Sequence, residues 1–387
     1  MIPEKEDCIY LDHNATTPVC SEALASMLPY LKEDFGNPSS AHMLGKVARQ
    51  GIENAREEVA ALVGCQSHEI IFTSGGSESN NMVLKGMLDF QNLQGCHIIT
   101  SAIEHPAILN PALFLMELGV EITILPVDSF GCVDPDEVYN AIQPNTRLIS
   151  IMLANNETGT LQPITRIAAI AKAHGVPIHT DAAQAVGKIE ININSLGVDF
   201  LSIAGHKLYG PKGVGALFLR DGQSITPLIH GAAQENGKRA GTENIILAVG
   251  LGTACEIARR TLKEEIKRIS TMRDRLQGIL FENIKDLVLN GHPTERLPNT
   301  LNISIPGIAG EQILEALPNI IASTGAACHD RTVKLSHVLA AMGVPAEIGM
   351  GAIRLTLGKN NSHEQLMDAA GLIIRQIRRM QDARNER

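Results

Sequence analysis

Short apolar runs alternate with amphipathic stretches over the first two-thirds of the chain. The apolar runs that predict strands are 69–73, 97–100, 121–125, 147–153, 177–180, 200–203 and 214–219. The stretches that predict helices are 47–63, a segment after 76, 106–118, 134–142 and 164–174. Strands that are apolar on nearly every residue are typical of a sheet covered on both faces. The alternation therefore predicts an α/β fold, with a mostly parallel sheet of the seven-stranded type that is covered by helices.

The pattern changes beyond about residue 244. A long helix rich in paired charges is predicted over 245–283, and shorter elements follow it. The strands predicted there are 299–305, 320–324 and 353–357, and the helices are 312–317 and 362–380. This mixture predicts a smaller α+β domain attached through the long helix.

Composition excludes several classes of protein. Of the 387 residues, 44% are hydrophobic and 19% are charged, which is too apolar for a disordered chain. The formal net charge of -9 argues against a nucleic-acid partner or binding to an anionic membrane. The chain start lacks the apolar stretch of a signal peptide, and the run 245–258 is too short to span a bilayer. We therefore expect a cytoplasmic protein.

The cysteines fit neither a disulfide framework nor a zinc ribbon. There are seven, an odd number without a C-x-x-C pair. Most are expected to be small buried hydrophobes, and composition does not single out a reactive thiol. The histidines also lack metal-ligand spacing, so no metal site is predicted. The cysteines are Cys8, Cys20, Cys65, Cys96, Cys132, Cys255 and Cys328.

A lysine and an acid follow two neighbouring predicted strands. Lys207 lies in a turn of small residues after the strand 200–203, and Asp181 follows the strand 177–180. Ligands of open α/β sheets bind at the carboxyl ends of strands. A pyridoxal cofactor needs a lysine that bonds to its aldehyde and an acid that keeps its ring nitrogen protonated. Taken singly, Lys207 also fits a surface lysine in a Gly-Pro loop, and Asp181 also fits a helix cap.

A glycine-containing turn precedes the helix after 76. The stretch 72–80 brings Gly75, Gly76 and Ser77 to a helix start, where free N–H groups and the helix dipole favour an anion. The stretch is neither a Walker A loop nor G-x-G-x-x-G, which argues against nucleotide binding. An ordinary capped helix start is the alternative interpretation.

A series of motifs along the chain is similar, in order, to the cysteine desulfurases and selenocysteine lyases. These are fold type I pyridoxal-phosphate enzymes of the class V aminotransferase group, and the resemblance runs from about residue 9 to about 375. It implies a large cofactor-binding domain, 16–258, and a small domain formed by 1–15 and 259–387. The motifs are LDHNATTP (11–18), GNPSS (36–40), TSGGSESNN (73–81), EH (104–105), NNETG (155–159), HTDAAQ (179–184), GHKLYGPK (205–212), RAGTEN (239–244) and STGAAC (323–328).

The resemblance implies a role for each matching residue around pyridoxal 5'-phosphate. Lys207 corresponds to the lysine that bonds to the cofactor aldehyde, Asp181 to the partner of the ring nitrogen, and His105 to an imidazole stacked on the ring. The other implied cofactor contacts are Gln184 and Asn156 at the ring hydroxyl and substrate, Gly76, Ser77 and His206 at the phosphate, and Thr242 of the partner subunit in a homodimer.

The resemblance also implies how substrate and sulfur are handled. Arg354 matches the arginine that binds the substrate carboxylate, with Asn37 as a helper, and a planar bidentate donor suits that task. Cys328 matches the catalytic cysteine of the small domain and so separates from the other six. The implied reaction converts L-cysteine to L-alanine, leaves a persulfide on Cys328 and passes the sulfur to an acceptor protein, as in iron–sulfur cluster biogenesis.

Two positions favour a different member of the same group. Many cysteine desulfurases carry a phosphate-binding serine where this chain has Ala204. Ala204, and His329 directly after Cys328, are more similar to selenocysteine lyases, which release selenium and L-alanine from L-selenocysteine. A third interpretation is a non-catalytic scaffold of the same fold. The presence of Lys207, Asp181 and Cys328 together argues against it.

Overall fold

A computed structural model of the chain describes residues 8–88, 90, 92–324 and 335–385. The strands are β1 (Ile9–Tyr10), β2 (Ile70–Thr73), β3 (His97–Ser101), β4 (Glu121–Leu125), β5 (Thr146–Ser150), β6 (Ile178–Asp181), β7 (Phe200–Ala204), β8 (Gly215–Leu219), β9 (Val288–Asn290), β10 (Thr300–Ser304), β11 (Ile320–Ile321) and β12 (Ala352–Thr356). The helices are α1 (Ser21–Lys32), α2 (Met43–Val63), α3 (Gly76–Gly86), α4 (Pro106–Glu117), α5 (Pro135–Ala141), α6 (Ile164–Ala173), α7 (Ile193–Leu196), α8 (Ile245–Asn283), α9 (Gly310–Glu315), α10 (His337–Ala341), α11 (Ala346–Gly349) and α12 (His363–Asn385).

The central sheet has seven strands in the order β2-β8-β7-β6-β5-β3-β4. β8 runs antiparallel to both β2 and β7, and the other neighbours are parallel. Most of these strands are buried along their whole length, as their apolar sequences require. The predicted α/β fold with a mostly parallel sheet is confirmed. Because β6 and β7 are adjacent and parallel, their carboxyl ends meet at one edge.

A second, smaller core lies at the other end of the long helix α8. Ala248 and Ala258 belong to the core on the central sheet, whereas Ile269 and Leu280 pack with β10, β12 and α12. The strands β12, β10 and β9 form an antiparallel sheet, and β1 pairs with β11. The two cores support a large domain 16–258 and a small domain 1–15 plus 259–387, and these boundaries stay a proposal.

Several element ends differ from the prediction for local reasons. The strand predicted over 147–153 ends at Ser150, and the one over 320–324 ends at Ile321. The helix α1 was not predicted, since its outward face carries Leu24, Leu28 and Leu31, all exposed. Apolar residues on both faces hide the one-sided pattern that marks a surface helix.

The expectation of buried cysteines is wrong for most of those that the structure describes. Cys255 is buried, whereas Cys8, Cys20, Cys65, Cys96 and Cys132 are only partly buried. All five lie outside helices and strands; Cys20, for example, is the residue before α1. Burial nevertheless raises the pKa of Cys65 to about 12, so this thiol is a poor nucleophile. Cys328 lies outside the described residues.

No helix in the described part of the chain is long and apolar enough to cross a membrane. Within the same residues, no cluster of three or more His, Cys, Asp or Glu side chains has the geometry of a metal site.

Candidate active site

A cavity of about 430 Å³ opens at the carboxyl edge of the central sheet. The residues that line it come from β6, β7, the start of α3, the residue before α4 and β12 of the smaller core. Most of the predicted site residues line it: Gly76, Ser77, His105, Asn156, Asp181, Gln184, His206, Lys207 and Arg354, together with Ala204. Residues that are far apart in sequence thus surround one space.

Lys207 lies in the turn that follows β7. Its Nζ donates to the carbonyl oxygens of Asn14 and Ala15, both at 2.7 Å. Burial and the positive charge of Arg354 lower the pKa of Lys207 to about 8, although Asp12 and Asp181 oppose the shift. The amine is therefore uncharged far more often near neutral pH than an ordinary lysine, and a nucleophile or base needs that form.

Asp181 is the last residue of β6 and is 7% exposed. Its Oδ2 accepts from Asn80 Nδ2 at 2.7 Å, and its Oδ1 accepts from the Ala183 N–H at 2.9 Å. The Oδ1 of Asn80 is buried without a hydrogen-bond partner. These contacts fix the carboxylate in the cavity wall. The helix-cap interpretation explains only the Ala183 contact.

His105 precedes α4, and its Nδ1 accepts from the Ala107 N–H at 3.1 Å. Although the side chain is exposed to the cavity, loss of water contact lowers the pKa of the imidazole, Lys207 adds to the effect and Asp181 opposes it. A ring that is mostly uncharged is thus available to lie against a planar ligand.

Directly before His105, the carboxyl group of Glu104 is fully buried. Its Oε1 accepts from Ser101 Oγ at 2.7 Å and from the Met152 N–H at 2.9 Å, whereas Oε2 has no partner. Burial raises the pKa of Glu104 from 4.5 to about 8. Burial therefore favours the neutral form of this side chain.

We expect Glu104 to make the protein less stable as the pH rises from about 4.5 to 8. The unfolded chain loses this proton at low pH and the folded chain retains it, so folding becomes less favourable across that interval. Glu104→Gln, which mimics the neutral acid, should remove a penalty of about 4 kcal/mol at pH 8. Urea unfolding of the wild type and the variant at pH 5.5 and pH 8 measures this difference in the free energy of unfolding. Glu117→Gln, at an exposed position of α4, is the matched control, and a gain that is equal at both pH values would contradict the assignment.

The start of α3 forms the end of the cavity that suits a phosphate. Gly76 is its first residue, and a methyl group there would lie 3.4 Å from the Cβ of Ala204. The two small residues therefore keep the space above the free N–H groups of the helix open. His206 lies beside it, and burial followed by the charge of Lys207 lowers its pKa to about 4.

Arg354 in β12, a strand of the three-stranded sheet, lines the cavity with its guanidinium. Its Nη2 donates to Asp12 Oδ1 at 2.7 Å and its Nη1 donates to the carbonyl oxygen of Asn156 at 3.1 Å. Its Nε is buried without a partner. The guanidinium is held in place and keeps a donor for an anionic ligand.

Asn14 connects these groups, and sequence reasoning did not assign it a role. Its carbonyl accepts from Lys207 and from Gln184 Nε2, and its Nδ2 donates to the carbonyl oxygen of Asn156 at 3.1 Å. Its position within the LDHNATTP motif was the sequence feature that could have indicated a role in the site. Asp12, in the same motif, and Asn80 were missed in the same way.

Two predicted residues do not line the cavity of this chain. Asn37 is exposed, and its side chain accepts from the Ser39 N–H at 2.9 Å. Thr242 is also exposed. Their predicted contacts stay predictions. The stretch 325–334, which holds Cys328 and His329, lies outside the described residues.

Comparisons with known proteins agree with this geometry. The class-V aminotransferase family matches residues 9–368. The chain is 49% identical to a cysteine desulfurase IscS from Dictyoglomus turgidum, over 98% of this chain and 97% of that protein. It is 46% identical to a cysteine desulfurase IscS from Methanosarcina thermophila, over 98% and 95%. A solved structure of a NifS-like protein superposes with a TM-score of 0.89 at 38% identity, over 95% of this chain and 98% of that one.

The chain belongs to the cysteine desulfurase family. The predicted family, the fold and a pyridoxal-phosphate-dependent cysteine desulfurase are confirmed by these relatives. The cavity of this desulfurase has the groups that pyridoxal phosphate needs. Lys207 can bond to the aldehyde, the Asp181 carboxylate can face the ring nitrogen, and the open space at Gly76 can take the phosphate. Asn80 and Arg354 line the cavity, and their Oδ1 and Nε are buried without a hydrogen-bond partner, which fits a site that holds a polar ligand.

Proposed function

We propose that this cysteine desulfurase converts L-cysteine to L-alanine and takes the sulfur onto Cys328 as a persulfide. One observation carries the proposal: the described residues on one side of the stretch 325–334 line the cavity, and those on the other side contact neighbours of its lining. Ser323 lines the cavity and pairs through its backbone with Arg354. On the other side, Ser336 Oγ donates to Glu157, and His337 Nε2 lies 3.0 Å from the carbonyl oxygen of Glu104. Glu157 and Glu104 are the chain neighbours of Asn156 and His105, which line the cavity.

Each residue has a separate part in the reaction. Arg354 binds the carboxylate of L-cysteine, and Lys207 takes the Cα proton as an uncharged amine. Asp181 keeps a proton at the ring nitrogen, and His105 forms a wall beside the ring. When bound, pyridoxal phosphate supplies an electron-accepting ring and an aldehyde that bonds to amines.

The sulfur step balances without an added oxidant or reductant. The Cys328 thiolate attacks the sulfur of L-cysteine, so a sulfur–sulfur bond forms as the Cβ–S bond breaks. The electron pair of that bond stays with the carbon skeleton, which takes up protons and leaves as L-alanine. L-cysteine and the Cys328 thiol thus give L-alanine and the Cys328 persulfide, and a sulfur-accepting protein takes the outer sulfur.

The proposal includes a cytoplasmic homodimer. Thr242 is exposed in this chain and does not line its own cavity, which supports a phosphate contact from Thr242 of the partner subunit. The pairing of Arg239 with Glu78 at 2.9 Å keeps the neighbouring loop close to the start of α3.

A selenocysteine lyase is the second candidate function, favoured by Ala204 in the cavity wall and by His329 in the sequence.

Turnover of L-cysteine and L-selenocysteine by wild type and by Cys328→Ala distinguishes a cysteine desulfurase from a selenocysteine lyase. If the protein is a cysteine desulfurase, mass spectrometry should find one added sulfur atom on the Cys328 peptide after reaction with L-cysteine. The Cys328→Ala variant should then lose turnover of L-cysteine. Turnover of L-selenocysteine far above that of L-cysteine, retained in Cys328→Ala, would favour the lyase. A purified protein with no yellow, borohydride-reducible cofactor would indicate a non-catalytic scaffold.

A further inference from the structure

A second lysine, Lys188, lies behind Lys207. It follows Gln184 by four residues, in the segment between β6 and α7. Its Nζ donates to Gln184 Oε1 at 2.7 Å and to Asn14 Oδ1 at 2.9 Å. The reaction described above does not use Lys188.

The two amides that Lys188 contacts have fixed orientations. Gln184 Nε2 donates to the carbonyl oxygen of Asn14 at 2.9 Å, and Asn14 Nδ2 donates to the carbonyl oxygen of Asn156. Since a carbonyl only accepts, the other end of each amide is its oxygen, and Lys188 donates to both oxygens. Gln184, which lines the cavity, therefore keeps its second N–H for a ligand there.

Charge at Lys188 is suppressed by its surroundings. Burial lowers the pKa of Lys188 well below its usual value, and the positive charges of Lys207 and Arg354 lower it further. The amine donates to both amide oxygens, which takes two of its hydrogens. The ionisable groups that face Lys188 are Lys207, Arg354, His206, His13, Tyr209, Glu265 and Lys359.

The space beside the Lys188 amine is small. A cavity of about 30 Å³ separates Lys188 from α8 and Lys359, and this volume suits about one or two water molecules. The Nδ1 of His13, which lines the same space, is buried without a partner. Removing the amine would take from Gln184 Oε1 the donor that Lys188 supplies, whereas Asn14 Oδ1 would keep the Nδ2 of Asn299 at 3.0 Å.

We propose that Lys188 is a positioning residue of the active site. It holds the Gln184 side chain so that the free N–H of Gln184 points toward the cofactor ring. It also links Gln184 to Asn14, the residue whose carbonyl oxygen accepts from Lys207. The inference rests on the proposed function, in which Gln184 contacts the ring. Lys188 itself does not line the cavity.

Three variants test this role: Lys188→Met, Lys188→Arg and the exposed control Lys172→Met on α6. The measurements are the Kd of pyridoxal phosphate for the apoenzyme, the pH at which the visible band of the holoenzyme changes, and thermal unfolding of the apoenzyme. Lys188→Met should weaken cofactor binding about tenfold, since one buried hydrogen-bond donor is lost. Lys188→Arg should retain more affinity but move the colour transition to lower pH, because a permanent positive charge disfavours protonation nearby. Lys172→Met should match wild type in all three.

The outcomes separate this inference from the function on which it rests. Wild-type cofactor affinity and colour transition in Lys188→Met would overturn the positioning role, and so would a loss confined to thermal stability. If Lys188→Met does not fold, an unchanged colour transition in Lys188→Arg overturns it. Failure of the wild type to form L-alanine from L-cysteine would instead overturn the function, while the cofactor measurements still decide the role of Lys188.

Discussion

Replacement of Lys207 by Ala is expected to lower kcat/KM for L-cysteine by about 10⁴-fold, the upper range for loss of a positioned acid–base group. The variant loses both the amine that bonds to the cofactor and the base that takes the Cα proton. No other described amine reaches the same carbonyls of Asn14 and Ala15. L-alanine formation measures the loss. Borohydride reduction followed by mass spectrometry should find the cofactor on the Lys207 peptide of the wild type alone.

The lowered pKa of Lys207 adds a pH dependence to the same prediction. Only the uncharged amine attacks an aldehyde, so cofactor attachment to the apoenzyme should rise about tenfold per pH unit below pH 8 and level off above it. Lys212→Ala is the matched control, because Lys212 is exposed and lies five residues further along the same motif. Equal losses in the two variants, or a reduced adduct on another lysine, would contradict the assignment of Lys207.

The central sheet could be predicted because its signals are local. Each strand and each covering helix has its own run of apolar residues, and the parallel arrangement follows from their alternation. The same reasoning brought Asp181 and Lys207 together, since adjacent parallel strands end at one edge. Element ends were harder to predict, because caps and exposed apolar faces such as that of α1 depend on the surroundings.

The supporting contacts of the site could not be predicted from local patterns. Asp12 pairs with Arg354 across 342 positions of sequence, and Asn80 reaches Asp181 across 101. Both contacts depend on how distant elements dock, which periodicity does not encode. The motif resemblance supplied the residues that contact the cofactor, but Lys188 acquired a role only from its geometry.

Asp181→Asn is expected to lower kcat/KM for L-cysteine by roughly 10³-fold, the scale of losing one preorganised electrostatic contact. Asparagine keeps the shape of the side chain but not the negative charge that holds a proton at the ring nitrogen. The fold should tolerate the change, because the buried Oδ1 of Asn80, which has no partner, can turn to accept from the new amide. The new side-chain oxygen can still accept from the Ala183 N–H.

The control for this variant is Asp199→Asn, a carboxylate at the opposite edge of the same sheet. Asp199 accepts from the Ile178 N–H at 2.9 Å and from Gln223 Nε2 at 3.1 Å, so its loss affects structure and not the cavity. Asp181→Asn should change the visible spectrum of the bound cofactor and leave the unfolding temperature nearly unchanged. Asp199→Asn should lower the unfolding temperature and leave the spectrum unchanged. A loss of activity in Asp181→Asn that follows lost stability, with an unaltered spectrum, would mean that the carboxylate only supports the fold. The spectrum thus separates a charge that acts on the cofactor from a hydrogen bond that closes the turn after β6.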